Sequence, residues 1–172
     1  RVKRVIKFIK KNNNLLDIGS GLGVFPYAIK KKTNVFIIEK DQNFALHLKK
    51  IFKKQLIGTD IFDQKLQKKY FQYFDFISIN KVLEHIYEPD EFLKKTLIYL
   101  KPGGIMYLEV PNGIALKANG KFSEEFFIEH LHVFNYNSLQ NLVRRHKINL
   151  LSLKEIKEPS GKFTLFVLAK KN

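Results

Sequence analysis

The chain has 172 residues, 45% of them hydrophobic, which suits one domain with its own core, and no apolar run approaches the roughly 18 residues of a membrane span. It lacks cysteine, which removes disulfides, thiolate catalysis and zinc–thiolate sites together. A formal net charge of +15 invites a nucleic-acid reading, but arginine occurs only at positions 1, 4, 144 and 145 and the lysines are scattered along the chain. A nucleic-acid partner therefore stays open without being favoured. The stretch from Arg1 to Ile9 is too charged for a signal-peptide core, and a cytoplasmic location is expected. Because the chain starts at Arg1 and not at Met, it is expected to be a processed product or a fragment.

Val2, Val5, Ile6 and Ile9 recur at helical spacing and predict an amphipathic helix. Leu15 to Ile18 is short and apolar enough to be a strand buried on both faces. A helix from about Val24 to Lys32 follows, then a second apolar strand, Val35 to Ile38, ending in Glu39. Phe44, Leu48, Ile51 and Phe52 mark the next helix, and Gln55 to Gly58 a short third strand that stops before Asp60. Phe62 to Tyr70 is polar and reads as a loop with a weak helix. Phe74 to Asn80 is the fourth strand, Leu83 to Tyr87 a helical turn, and Pro89 opens a helix that Lys101-Pro102-Gly103-Gly104 ends. Ile105 to Val110 is the fifth strand. After Pro111 the rhythm breaks, and residues 111–135 are expected to be an insertion on the substrate side. A helix from Asn137 to His146 and a hairpin of Leu150 to Ile156 with Phe163 to Ala169 complete the chain.

Strands alternating with helices predict an α/β domain over residues 1–172, with a mostly parallel sheet, helices on both faces and an antiparallel strand from the C-terminal hairpin.

The stretch Asp17-Ile18-Gly19-Ser20-Gly21-Leu22-Gly23 joins the first strand to a helix. A dinucleotide fingerprint would put glycine at position 24, where Val24 stands. What stands is D-x-G-x-G-x-G. A carboxylate at the strand's mouth would repel a pyrophosphate but suit a ligand carrying an ammonium and a sulfonium, as S-adenosylmethionine does. Glu39 and Asp60 close the next two strands, and the carboxyl edge of an open α/β sheet is where ligands bind.

In this order of features the chain resembles the class I S-adenosylmethionine-dependent methyltransferases, whose Rossmann-like fold has a seven-stranded sheet. The resemblance implies that Asp17, Gly19, Gly21 and Gly23 form the cofactor loop. It implies that Glu39 accepts the ribose hydroxyls, that Asp60 accepts the adenine amino group, that Ile61 packs on the ring, and that Asn80 belongs to the fourth motif. Asn80-Lys81-Val82-Leu83 lacks the double proline of the enzymes that methylate base amino groups. Val82-Leu83-Glu84-His85 and Glu129-His130-Leu131-His132-Val133-Phe134 are closer to enzymes acting on quinone precursors, sugars and other small molecules. A small-molecule acceptor methylated on oxygen or carbon is therefore expected. His130 is the first candidate for a general base and His132 the second. No metal is expected, since the two histidines show no third ligand beside them. His85 is expected to stabilise the turn after the fourth strand. Phe122, Phe126, Phe127, Phe134 and Tyr136 could wall an acceptor pocket or form core beneath it.

Overall fold

The computed structural model describes residues 1–114 and 129–172. Its strands are β1 (Asn14–Ile18), β2 (Asn34–Ile38), β3 (Leu56–Gly58), β4 (Phe74–Asn80), β5 (Leu100–Pro111), β6 (Asn149–Lys157) and β7 (Phe163–Lys170). They form one seven-stranded sheet in the order β3-β2-β1-β4-β5-β7-β6. The pairs among β1 to β5 are parallel, whereas β7 lies antiparallel between β5 and β6. Strand order reverses at β1 and β4, so the loops leaving these two strands diverge and open a crevice at the carboxyl edge.

Among the described residues the α-helices are α1 (Val2–Val5), α2 (Val24–Ile29), α3 (Gln42–Phe52), α4 (Gln64–Lys69), α5 (Pro89–Tyr99) and α6 (Tyr136–Arg145). They cover both sheet faces, and the strand residues show why. Leu15, Val35, Ile37, Phe76, Tyr107 and Phe166 pack with Val5, Phe25, Leu48 and Phe52 on one face. Their neighbours Leu16, Phe36, Ile38, Ile77, Leu108 and Val167 face the other core with Phe92, Leu93, Leu139 and Val143. Adjacent residues of a strand point to opposite faces, so a strand buried on both sides is apolar at most successive positions.

The sequence reading holds for the architecture and shifts at several boundaries. The first helix is one turn of α1 followed by a 3₁₀ turn at Ile6–Phe8. Residues 64–69 are a helix because Asp63 accepts hydrogen bonds from the N–H groups of Lys65 (2.7 Å) and Leu66 (3.3 Å), a capping signal stronger than the weak apolar pattern. β5 starts at Leu100: Leu100 pairs with Phe74 and Ile105 with Phe76, so residues 101–104 bulge out of the ladder. α6 begins one residue early, with Asn135 and Ser138 forming a reciprocal capping box.

One buried charge ties the amino terminus to the sheet. Glu109, fully buried on β5, accepts hydrogen bonds from Arg1 Nε (3.1 Å) and Arg4 Nη1 (2.9 Å), and from the Tyr107 hydroxyl. Burial alone would raise its pKa, but the Arg1 and Tyr107 bonds and the nearby cations hold it down at about 2.

Candidate active site

A cleft of about 630 Å³ opens where the glycine loop, the ends of β2 and β3, and the turn after β4 converge. Its volume lies inside the range of about 300–1,000 Å³ usual for small-molecule sites. Gly19, Gly21, Glu39, Asp60 and Ile61 line it, together with Phe44, Phe62, Lys81, Val82 and His85.

Glu39 is 6% exposed and sits at the centre of the wall. One carboxylate oxygen accepts the N–H of Gly21 at 2.8 Å and the other that of Asp41 at 3.0 Å. The side chain thus fastens the glycine loop to the start of α3. Asp60 is exposed and accepts the Phe62 N–H at 2.9 Å. Ile61 is buried, and its carbonyl accepts the Tyr99 hydroxyl at 2.9 Å. Tyr99 is a second layer that sequence reasoning did not find; burial raises its phenol pKa, which keeps it a donor.

Asp17 and Asn80 lie beneath the loop and are not among the cleft-lining residues. Asp17 is 1% exposed and accepts hydrogen bonds from Ser20 Oγ at 2.6 Å, from Ser78 Oγ, and from Asn80 Nδ2 at 3.1 Å. Burial pushes its pKa up to about 6 against these bonds, which act to lower it. Its carboxylate therefore organises the loop and the end of β4. Asn80 Oδ1, by contrast, is buried with no hydrogen-bond partner among the described residues.

The three loop glycines have different reasons. Gly19 adopts φ +69° and a Cβ there would meet Val82 Cγ2 at 2.4 Å, so the cleft floor closes only on glycine. Gly23 caps α2 and lies away from the cleft, where a Cβ would meet Leu48 Cδ2 at 2.6 Å. We expect Gly19→Ala to lose about 2–3 kcal/mol of stability from backbone strain and crowding, and Gly21→Ala, whose Cβ would meet nothing within 4 Å, about 1 kcal/mol. Denaturant unfolding of both variants checks this; equal losses would show that Val82 yields freely.

A second cavity of about 320 Å³ adjoins the cleft, and Lys81 and His85 line both. Lys81 has φ +57° at the end of β4, a conformation uncommon outside glycine, and its Nζ donates to Thr164 Oγ1 at 2.7 Å. Burial lowers its pKa. Glu84, His85 and His130 line the second cavity. Glu84 is 1% exposed, its Oε2 has no hydrogen-bond partner among the described residues, and burial pushes its pKa up to about 7.

His130 stacks edge-on against His85, with ring centroids 4.9 Å apart. His132 lines neither cavity: its N–H donates to the Glu84 carbonyl at 3.2 Å, and its Nε2 lies 3.2 Å from the Tyr87 carbonyl. It pins the returning segment. His85 does stabilise its turn, through a 2.8 Å contact of Nδ1 with the Glu129 carbonyl, but it also faces both cavities. Phe134 is buried in the core, Tyr136 is partly exposed, and Phe122, Phe126 and Phe127 lie outside the described residues.

Among known proteins, a family described as a methyltransferase domain matches residues 1–153. An uncharacterized RNA methyltransferase of Mycoplasma mobile is 29% identical over 134 residues, which cover 73% of this chain and 35% of that protein, so the chain spans about a third of its length. The ribosomal RNA small subunit methyltransferase G of Mycoplasmopsis pulmonis is 26% identical over 164 residues, covering 84% of this chain and 72% of that one. Among solved structures, a SAM-dependent methyltransferase from Aquifex aeolicus superposes with a TM-score of 0.74 at 19% identity, covering 99% of this chain and 88% of that chain. The chain therefore belongs to the methyltransferase-domain family, and its fold is that of the class I S-adenosylmethionine-dependent methyltransferases.

Proposed function

We propose that this chain transfers the methyl group of S-adenosylmethionine to a hydroxyl oxygen of a small-molecule acceptor held in the second cavity. The observation that carries the acceptor class is that this cavity is small, directly adjoins the cleft, and is lined by acid–base groups, namely Glu84, His85 and His130. The second cavity sets Glu84 and Glu158 against Arg1, Lys81 and Lys162, a mixed lining and not the uniformly basic rim that a phosphate backbone would favour.

The residues fit the methyl donor. Each Glu39 oxygen is committed to one backbone N–H and keeps acceptor capacity for a vicinal diol. Asp60 and Ile61 offer an acceptor and an apolar wall for an aminopurine. The open space at Gly21 leaves room beside the loop for an ammonium end. When bound, the donor supplies an electrophilic methyl whose C–S bond breaks as the O–C bond forms. The chain's part is to align the acceptor, where positioning can supply roughly 7–11 kcal/mol, and to take the hydroxyl proton, a role we give to His130 in the second cavity.

RNA as acceptor is the second reading, favoured by the net charge of +15 and by the RNA methyltransferases among the relatives. Transfer of a radiolabelled methyl group separates the two. Incorporation into hydroxylated metabolites and not into total RNA supports the small-molecule reading; label in RNA alone overturns it. His130→Ala is expected to slow transfer about 10²-fold with little change in donor affinity; an unchanged rate would remove His130 from the chemistry.

A further inference from the structure

We infer that Glu84, His85 and His130 form a site for one divalent transition-metal cation on the border between the two cavities. The three side chains each present a donor atom, and these atoms lie within 4.8 Å of one another. Glu84 comes from the turn after β4 and is 1% exposed, with Oε2 lacking a hydrogen-bond partner among the described residues. A buried carboxylate oxygen left without a partner is costly, and its presence calls for a cation or donor in the adjoining space.

The histidines are prepared as ligands. His85 Nδ1 faces the Glu129 carbonyl at 2.8 Å, and a carbonyl can only accept, so Nδ1 carries the proton. Nε2 is then left with its lone pair, 4.0 Å from Glu84 Oε1. This is the outer-layer hydrogen bond that orients metal-binding imidazoles. His130 is brought to His85 by a returning segment fixed at two points, the His132 N–H on the Glu84 carbonyl and the His85–Glu129 contact. Metal–donor distances of about 2.0–2.2 Å need the three atoms somewhat closer than they stand, a change that a side-chain rotation of the partly exposed His130 supplies.

Two cations of the cavity wall are engaged elsewhere. Lys81 Nζ is engaged by Thr164, and Arg1 by Glu109, while Glu158 adds a further carboxylate to the cavity wall. Two imidazoles and one carboxylate suit Zn²⁺, Fe²⁺, Co²⁺ or Mn²⁺ better than Mg²⁺ or Ca²⁺, which prefer oxygen throughout. Three protein ligands leave a position open. Resting on the small-molecule reading above, that position would take the acceptor's oxygen beside the cofactor cleft and lower its pKa. His130 would then hold the cation in place of taking the proton, and the hydroxyl proton would pass to solvent water.

The test is Co²⁺ titration of the whole chain followed by visible absorption, with Zn²⁺ competition read by calorimetry. One equivalent should bind, and Glu84→Gln, His85→Ala and His130→Ala should each weaken it at least 100-fold. His132→Ala should leave it intact. If Glu84→Gln fails to fold, His130→Ala on the surface segment decides alone. Absence of saturable binding, or binding that survives His130→Ala, overturns the site. Calorimetry with S-adenosylhomocysteine is run on the same samples: donor binding without metal binding defeats only this inference, whereas loss of donor binding in the unaltered chain defeats the methyltransferase reading.

Discussion

Replacing Glu39 by alanine is expected to weaken S-adenosylhomocysteine binding about 10²–10³-fold. The magnitude follows from what the carboxylate can hold. Hydrogen bonds to a charged acceptor are worth about 1.5–3 kcal/mol each, and a vicinal diol can make two of them, so roughly 3–4 kcal/mol is lost when the acceptor goes. A further loss comes through the protein itself, because Gly21 N–H and Asp41 N–H give up their acceptor and the glycine loop is no longer fastened to α3. Glu39→Gln separates the two contributions. It keeps one oxygen but sets an NH₂ group against one of the two backbone donors, so its affinity should fall between the unaltered chain and the alanine variant. Calorimetry on all three proteins checks the order. Undiminished binding in Glu39→Ala would mean that the ribose is held elsewhere, and the donor site would have to be redrawn.

The elements positioning Glu39 were legible because burial on both faces leaves a plain trace. Leu15-Leu16, Val35 to Ile38 and Phe76-Ile77 are apolar at successive positions, as a strand between two helical layers requires. The glycine loop was legible because its spacing is set by backbone conformation and close packing, not by distant contacts. Less legible was what each charged group does once placed. Asp17 reads as a ligand contact from its position, but the sheet surrounds it with Ser78, Ser20 and Asn80, and it holds the loop from below. The meeting of Glu84 and His85 with His130 joins segments some 45 residues apart and leaves no periodicity to find. A lone Glu109 within the otherwise apolar run Ile105 to Val110 was a visible signal of a buried partner, since carboxylates are rarely buried unpaired. Arg1 and Arg4, more than 100 residues earlier, could not be matched to it by local pattern.

Glu109→Ala is expected to destabilise the fold by about 3–5 kcal/mol, the usual consequence of breaking a buried ion pair by removing one partner. The loss is a large share of the roughly 5–15 kcal/mol that a domain has in total. The pH dependence gives the sharper test. Glu109 titrates at about 2 in the folded chain against 4.5 in the unfolded one, so its contribution, on the order of 3 kcal/mol, is fully present above pH 4.5. It is lost as pH falls from 4.5 towards 2. Asp17 has the opposite sign: its folded value of about 6 lies above 3.8, so its ionised form costs stability at neutral pH. That cost is relieved as pH falls from 6 towards 3.8, and buried Glu84, raised to about 7, adds to the same trend. These groups together should place a stability maximum near pH 4–5, with a rise on acidification from neutral and a fall below it. Glu109→Gln should flatten the fall below pH 4.5 and leave the rise, whereas Asp17→Asn should flatten part of the rise and leave the fall. Denaturant unfolding at a series of pH values reads both limbs. An acid limb that keeps its slope in Glu109→Gln would mean that the Arg1 and Arg4 contacts do not govern how the amino terminus is held to β5.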